Sequence, residues 1–308
     1  MARGRTTVPA ADPPHADRGV PADGVRSHRA GGLLVALAAV ALAGLVPALT
    51  PAQEPAVQTP ATATEKPQLP VDLYESRTVR VREADTTVEF AYRLLKPDAA
   101  ATGADVRHPL VVFLHGAGER GDDNASQLKF LPAWMAEPDT RRRHPAFVLA
   151  PQCRMDERWV DVSWADGRST PQSPAPSTDL AAAIAAIDDV VAREAVDPAR
   201  IYLTGLSMGG YGTWDLAARS PERFAAIMPI CGGGDERTAA RLATLPLWCF
   251  HGDADKAVPV GRSRDMIAAV RRAGGKPIYS ELAGVGHDSW TPAYRDGFVL
   301  DWLFSQRK

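Results

Sequence analysis

Six short, almost wholly apolar runs recur between residues 110 and 282: Leu110–Leu114, Phe147–Ala150, Ile201–Thr204, Ala225–Ile230, Leu247–Phe250 and Ile278–Leu282. Runs apolar at nearly every position, rather than every second one, suit strands buried on both faces. Helical patterns fill most of the gaps. In Asp179–Glu194, Leu180, Ile184, Ile187 and Val191 recur on one face, and Ser177 or Thr178 can cap the start. Met208–Arg219, Arg262–Ala273 and a closing helix after Ser289 carrying Tyr294, Phe298 and Leu303 follow. Strand and helix in alternation predict an α/β fold, a mostly parallel central sheet with helices on both faces. Ahead of it, residues 78–82 (TVRVR) and 86–95 (TTVEFAYRLL) alternate apolar and polar, which predicts an antiparallel start. Sheets of this kind receive ligands at the carboxyl ends of their strands. One long irregular insert, Gln152–Pro176, carries Trp159 and Trp164 and is expected to border that end.

Residues 71–308 suit a single domain of this class. They hold 29 Lys and Arg against 32 Asp and Glu. Without a basic field, nucleic acid is not expected as a partner. The N-terminal part reads differently. No charge occurs between Ala30 and Gln53, and Leu33–Val46 is an apolar run preceded by Arg18, Arg26 and Arg29. This predicts an export signal within residues 1–50. The alternative is an uncleaved anchor over residues 31–49, just long enough to span a bilayer, and only then is a membrane a partner. Small residues at Val46 and Ala48, or at Thr50 and Ala52, offer cleavage sites. Residues 51–70, rich in Pro, Ala and Thr, predict a disordered linker to a secreted or periplasmic domain. The three cysteines, Cys153, Cys231 and Cys249, allow at most one disulfide among themselves.

Chemistry concentrates where one strand hands over to a helix. Gly205-Leu206-Ser207-Met208-Gly209 stands between the strand ending at Thr204 and the helix from Met208. G-x-S-x-G alone is a weak signal, but the strand-turn-helix context gives it meaning, because a serine on that turn sits in strained backbone and needs small flanks. A serine hydroxyl attacks only when a base takes its proton, and downstream only His251 and His287 qualify. The order nucleophile, acid, base selects His287, with Asp255 or Asp253 as the acid, and leaves His251 to a strand-end hydrogen bond. Asp255 is preferred because Asp253, at the tight turn after Gly252, suits local Asx-type bonds. A developing oxyanion needs backbone donors, assigned to Met208 and, in the glycine-rich loop His115–Gly121, to Ala117. In that loop His115 is expected to be a structural prop, and Glu119 and Arg120 either a loop-fixing pair or substrate contacts. Neither G-x-x-x-x-G-K-S/T nor G-x-G-x-x-G is present, and the histidines lack ligand spacings such as H-E-x-x-H, so neither cofactor nor metal is expected.

At these residues the chain resembles the α/β-hydrolase superfamily. It is most similar to its secreted esterase and predicted-peptidase branch, related to phospholipase/carboxylesterases, dienelactone-hydrolase-like proteins and polyhydroxybutyrate-depolymerase-like esterases. The resemblance runs from about Tyr74 to Phe304 on LHGAGERGDDN, APQC, TGLSMGGYGTW, FHGDADKAVP and GVGHDSW. It implies a triad of Ser207, Asp255 and His287, with the acid three residues before Val-Pro, and oxyanion donors at Ala117 and Met208. The expected activity is hydrolysis of carboxylic esters through an acyl-enzyme. A secreted serine peptidase and a non-catalytic hydrolase-like module are the alternatives, although the latter would be expected to lack part of the triad. Only Cys231–Leu245, opening on three glycines, is available for a lid, so a minimal cap and short or polar acyl esters, free or on polysaccharides, are expected. Trp159, Trp164 and Trp290 are candidates for an aromatic substrate wall.

Overall fold

The computed structural model describes residues 68–98 and 106–308; the expected export segment and all but the last three residues of the expected linker lie outside the described residues. The chain enters by a single 3-10 turn, Val71–Leu73, into a hairpin of β1 (Tyr74–Glu83) and β2 (Thr86–Leu95). Strands β3 (His108–Leu114), β4 (Phe147–Pro151), β5 (Val196–Leu206), β6 (Ala226–Ile230), β7 (Trp248–Gly252) and β8 (Ile278–Leu282) follow. All eight join one sheet in the order β1-β2-β4-β3-β5-β6-β7-β8. Strands β1 and β2 pair antiparallel, as do β2 and β4, and the remaining pairs are parallel.

Full burial of the central strands follows from their covering on both sides. Along β3, Leu110, Val112 and Leu114 face helices α3 (Thr178–Arg193), α4 (Met208–Arg219) and α5 (Gly261–Arg272), joining Leu180, Ile187, Trp214 and Met266. The intervening Val111 and Phe113 face the opposite layer, with Leu131 and Met135 of α1 (Leu131–Met135), Tyr294 of α6 (Trp290–Arg295) and Leu303 of α7 (Gly297–Ser305). Period-two side-chain direction therefore divides one apolar run between two cores.

Four features depart from the sequence reading. Strand β8 was expected to be buried on both faces, but it is the sheet edge, with Ile278 40% exposed. The buried stripe of α3 is Leu180, Ala183, Ala186, Ile187 and Val190, whereas Val191 is 38% exposed; small alanines, rather than the larger side chains, let the helix approach the sheet. The closing helix is two, because Asp296 accepts from the amide of Phe298 and caps a new start. Between β3 and β4 stand α1 and α2 (Pro138–Arg143), too short to show a helical period. All three cysteines are buried and unpaired.

The topology sets the place of the site. From β3 the chain steps outward to β4, then returns past β3 to β5, so the loops after the adjacent strands β3 and β5 leave their shared end in opposite directions. A crevice at such a reversal is where open α/β sheets bind ligands.

Overpacking the α3 stripe should cost more than trimming its exposed side. Ala183→Leu is expected to lower urea stability by about 1–3 kcal/mol, and Val191→Ala by no more than about 0.5 kcal/mol. The reverse ranking would mean that α3 is rotated on the sheet.

Candidate active site

Ser207 follows the end of β5, on a turn that close backbone packing holds. Its φ of 53° and ψ of −117° place a non-glycine residue in a region that L-residues avoid. Its amide donates to Ile230 O of the neighbouring strand end at 2.9 Å, and its carbonyl receives Tyr211 N at 3.1 Å. The helix start lies directly against the end of β3: a Cβ on Gly209 would fall on the carbonyl oxygen of Leu114, and one on Gly205 would meet the same oxygen. The expectation of small flanks thus has a particular cause, which is the carbonyl of the strand next door.

The structure brings Ser207, His287 and Asp255 together from the ends of β5, β8 and β7. His287 Nε2 lies 2.9 Å from Ser207 Oγ, and its Nδ1 lies 2.7 Å from Asp255 Oδ2. An ionised carboxylate only accepts, so Nδ1 carries the proton and Nε2 is left to accept from the hydroxyl. The Asp255 side chain is fully buried, while that of His287 is 29% exposed. Burial by itself would raise the Asp255 pKa. Hydrogen bonds from His251 and His287, then from the amides of Val258 and Ala257, outweigh it and hold the carboxyl below the usual carboxylate range.

His251 does more than the sequence reading gave it. Its Nε2 faces two acceptors, Val258 O at 3.1 Å and Asp255 Oδ2 at 3.2 Å, while Nδ1 meets Ser263 Oγ at 2.8 Å. Asp255 is thereby held between two imidazoles. The only sequence signal for this was the spacing of four between His251 and Asp255. The local Asx-type bonds expected of Asp253 belong to its neighbour. Asp255 itself makes the local Asx-type bonds, to the amides of Ala257 and Val258, and Asp253 instead accepts from Gly284 N at 2.7 Å, pinning the loop that carries His287. Ala254 N to Val285 O, at 3.0 Å, ties the same two loops.

The loop after β3 is fixed from below. Buried His115 accepts from Cys153 N through Nε2 at 2.9 Å, so Nδ1 donates to Gly116 O at 2.7 Å. Burial pushes this imidazole down to about 4, which keeps it neutral. Gln152 accepts from Asn124 N and donates to Glu119 O and Asp123 Oδ1. The sequence motifs LHGAGERGDDN and APQC are thus two halves of one hydrogen-bond network. Glu119 and Arg120 do not pair: Glu119 lies 3.7 Å from Lys129, and Arg120 donates to Ala117 O and Glu157 O. Among the described residues, neither Ala117 N nor Met208 N donates to a protein acceptor. Met208, as the first residue of α4, has no helical carbonyl behind it.

The three tryptophans divide. Trp159, expected on a substrate wall, is 1% exposed; its Nε1 donates to His115 O at 3.0 Å and its ring packs edge-on to His115. It supports the loop from beneath and cannot touch substrate. Trp290 meets the His287 ring edge-on at 5.3 Å, and Trp164 lies half-buried under the guanidinium of Arg158 at 4.9 Å. Among the described residues, the group best able to gather around a metal ion is Cys231, Asp255 and His287, with ligand atoms within 4.8 Å of one another. Burial raises the Cys231 thiol well above its ordinary pKa, and the other two are already hydrogen-bonded to each other.

Comparison with known proteins places this geometry. Residues 90–234 match a family model described as esterase PHB depolymerase. A solved structure described as a thermostable esterase is 39% identical with a TM-score of 0.68, over 77% of this chain and 64% of that one. A "Probable inactive carboxylesterase" of Oryza sativa subsp. japonica is 26% identical over 61% of this chain and 81% of its own length. Poly(3-hydroxyalkanoate) depolymerase C of Paucimonas lemoignei is 28% identical over 50% of this chain, which spans only 34% of that enzyme.

The two-imidazole cradle has a consequence for stability. A carboxyl held below its unfolded value of about 3.9 contributes stability that is full above that pH and is lost as pH falls toward the folded value. Urea midpoints of the wild type should therefore fall more steeply than those of Asp255→Asn between about pH 5 and pH 3. Equal slopes would mean that the carboxylate is not specifically held.

Proposed function

In a chain that belongs to the esterase branch of the α/β-hydrolase superfamily, we propose that Ser207, His287 and Asp255 act as a catalytic triad that cleaves carboxylic esters through an acyl-enzyme. Ester hydrolysis is the activity that the esterase relatives support. The observation carrying the residue assignment is the continuous pair of hydrogen bonds from Ser207 through His287 to Asp255.

In the proposed reaction Ser207 Oγ attacks the ester carbonyl carbon while His287 Nε2 takes the hydroxyl proton. The carbonyl oxygen gains the negative charge and is received by the amides of Ala117 and Met208. Collapse of the tetrahedral intermediate breaks the bond to the alcohol, and the proton on His287 goes to the departing alkoxide. Water then repeats the sequence on the acyl-enzyme. Asp255 holds His287 in the productive tautomer and stabilises the imidazolium, with His251 sharing the carboxylate. No step needs a cofactor.

Short or polar acyl esters, including those on polysaccharides, are the proposed substrates. Two observations favour this class: the short stretch after β6, whose one element is a 3-10 helix, Glu236–Leu242, and the partial exposure of His287. Trp290 and Trp164 remain the aromatic candidates for a substrate wall. The charge pattern of residues 1–50 supports export of the domain, which the N-terminus of protein recovered from the medium would report. Among the described residues no helix is long and apolar enough to cross a membrane.

Ser207→Ala should lower turnover of p-nitrophenyl butyrate by about a million-fold, whereas near-normal turnover would remove Ser207 from the reaction. The purified domain is expected to hydrolyse methyl ferulate or acetylated xylan well above tributyrin. The opposite ranking would point to a lipid substrate instead.

A further inference from the structure

The second residue of α5, Arg262, is 2% exposed. A buried guanidinium carries five N–H donors and a charge that burial penalises unless it is paired. Arg262 has little to answer it. Nη2 donates to Gly234 O at 3.2 Å, but Nε and Nη1 have no partner among the described residues. The Tyr211 ring lies 5.6 Å from the guanidinium carbon, and the backbone of Gly233 lies so close that a Cβ there would press on Arg262.

These residues line a cavity of about 20 Å³, shared with Val160, Val162 and Gln172. That is room for roughly one small polar group. Two acids border the same space, and both are already committed. Asp215 pairs with Arg219 at 2.5 Å, and Asp235 pairs with Arg237 at 2.8 Å and accepts from Gln172 N. Arg262 thus has the Tyr211 side chain and one carbonyl beside it, but among the described residues no carboxylate forms an ion pair with it.

Residues lining or packed beside the cavity are bonded to, or close in sequence to, the site already described. Tyr211 N donates to Ser207 O one helical turn on, and Gly233 follows closely on Ile230, whose carbonyl receives Ser207 N. Val258, which packs with Tyr211 and Val162, is bonded through its amide to Asp255.

We propose that Arg262 is a specificity determinant that anchors a carboxylate carried by the substrate away from the ester bond being cleaved. This rests on the triad reading of Ser207, His287 and Asp255. The favoured substrates are then esters with an acidic group on the acyl chain, and the carboxylate supplies the acceptors that Nε and Nη1 lack. A terminal carboxylate is the one part of such a substrate that the small volume would take, with the methylene chain left outside it.

Two p-nitrophenyl esters with six-carbon acyl chains, the hexanoate and the mono-ester of adipic acid, differ only in the terminal carboxylate. The wild-type ratio of kcat/KM for adipate over hexanoate is expected to exceed about tenfold, and Arg262→Met to lower that ratio by about tenfold or more, chiefly through KM. Arg262→Lys should restore part of it. An unchanged ratio in Arg262→Met would overturn the proposal, as would a wild-type ratio near one. Should Arg262→Met not fold, inhibition of wild-type hexanoate turnover by free adipate, but not by adipamide, supports the anchor, and equal effects of the two oppose it. Failure of the wild type to cleave either ester would instead count against the triad.

Discussion

The closest constraint in the molecule is the contact between two backbones, the carbonyl of Leu114 at the end of β3 and the start of α4 at Gly209. It allows Ser207 to sit in strained backbone with its amide given to Ile230 and its hydroxyl turned to His287. Strain of this kind persists only where the surroundings over-determine it. Here parallel pairing fixes β5 on both sides, and the helix that follows is buried along most of its length. The loop after β3 leaves from the same contact, since Leu114 is the last residue of that strand.

The other half of the site depends on charge rather than packing. A buried carboxylate would ordinarily protonate or seek water. Asp255 stays ionised because two imidazoles and two amides donate to it, and Asp253 then secures the loop that delivers His287. Two aspartates two residues apart thus have separate tasks. One holds His287 by its ring, and the other holds the loop that carries it.

Much of this was legible in the chain itself. Strand positions followed from apolar runs because burial on two faces leaves no other pattern, and Ser207, Asp255 and His287 followed from the order of elements. What stayed hidden depended on contacts between distant segments. Val191 and Val190 are equivalent to a periodicity argument, yet only the sheet decides which is buried. Trp159 in an irregular insert has no pattern to say that it supports His115 rather than faces substrate. His251 was set aside by chain order, which speaks to the base and is silent about a second donor to the acid. Arg262 stands at the start of a helical pattern that carries no sign of its burial.

The central claim is that one serine, made nucleophilic by its neighbours, carries the reaction. A fluorophosphonate reacts only with such a serine, and peptide mapping of the labelled protein locates the adduct. A single adduct on Ser207, lost in His287→Ala, is the result expected. Ester turnover that continues with Ser207 unlabelled, or an adduct on a different residue, would contradict the assignment of the site.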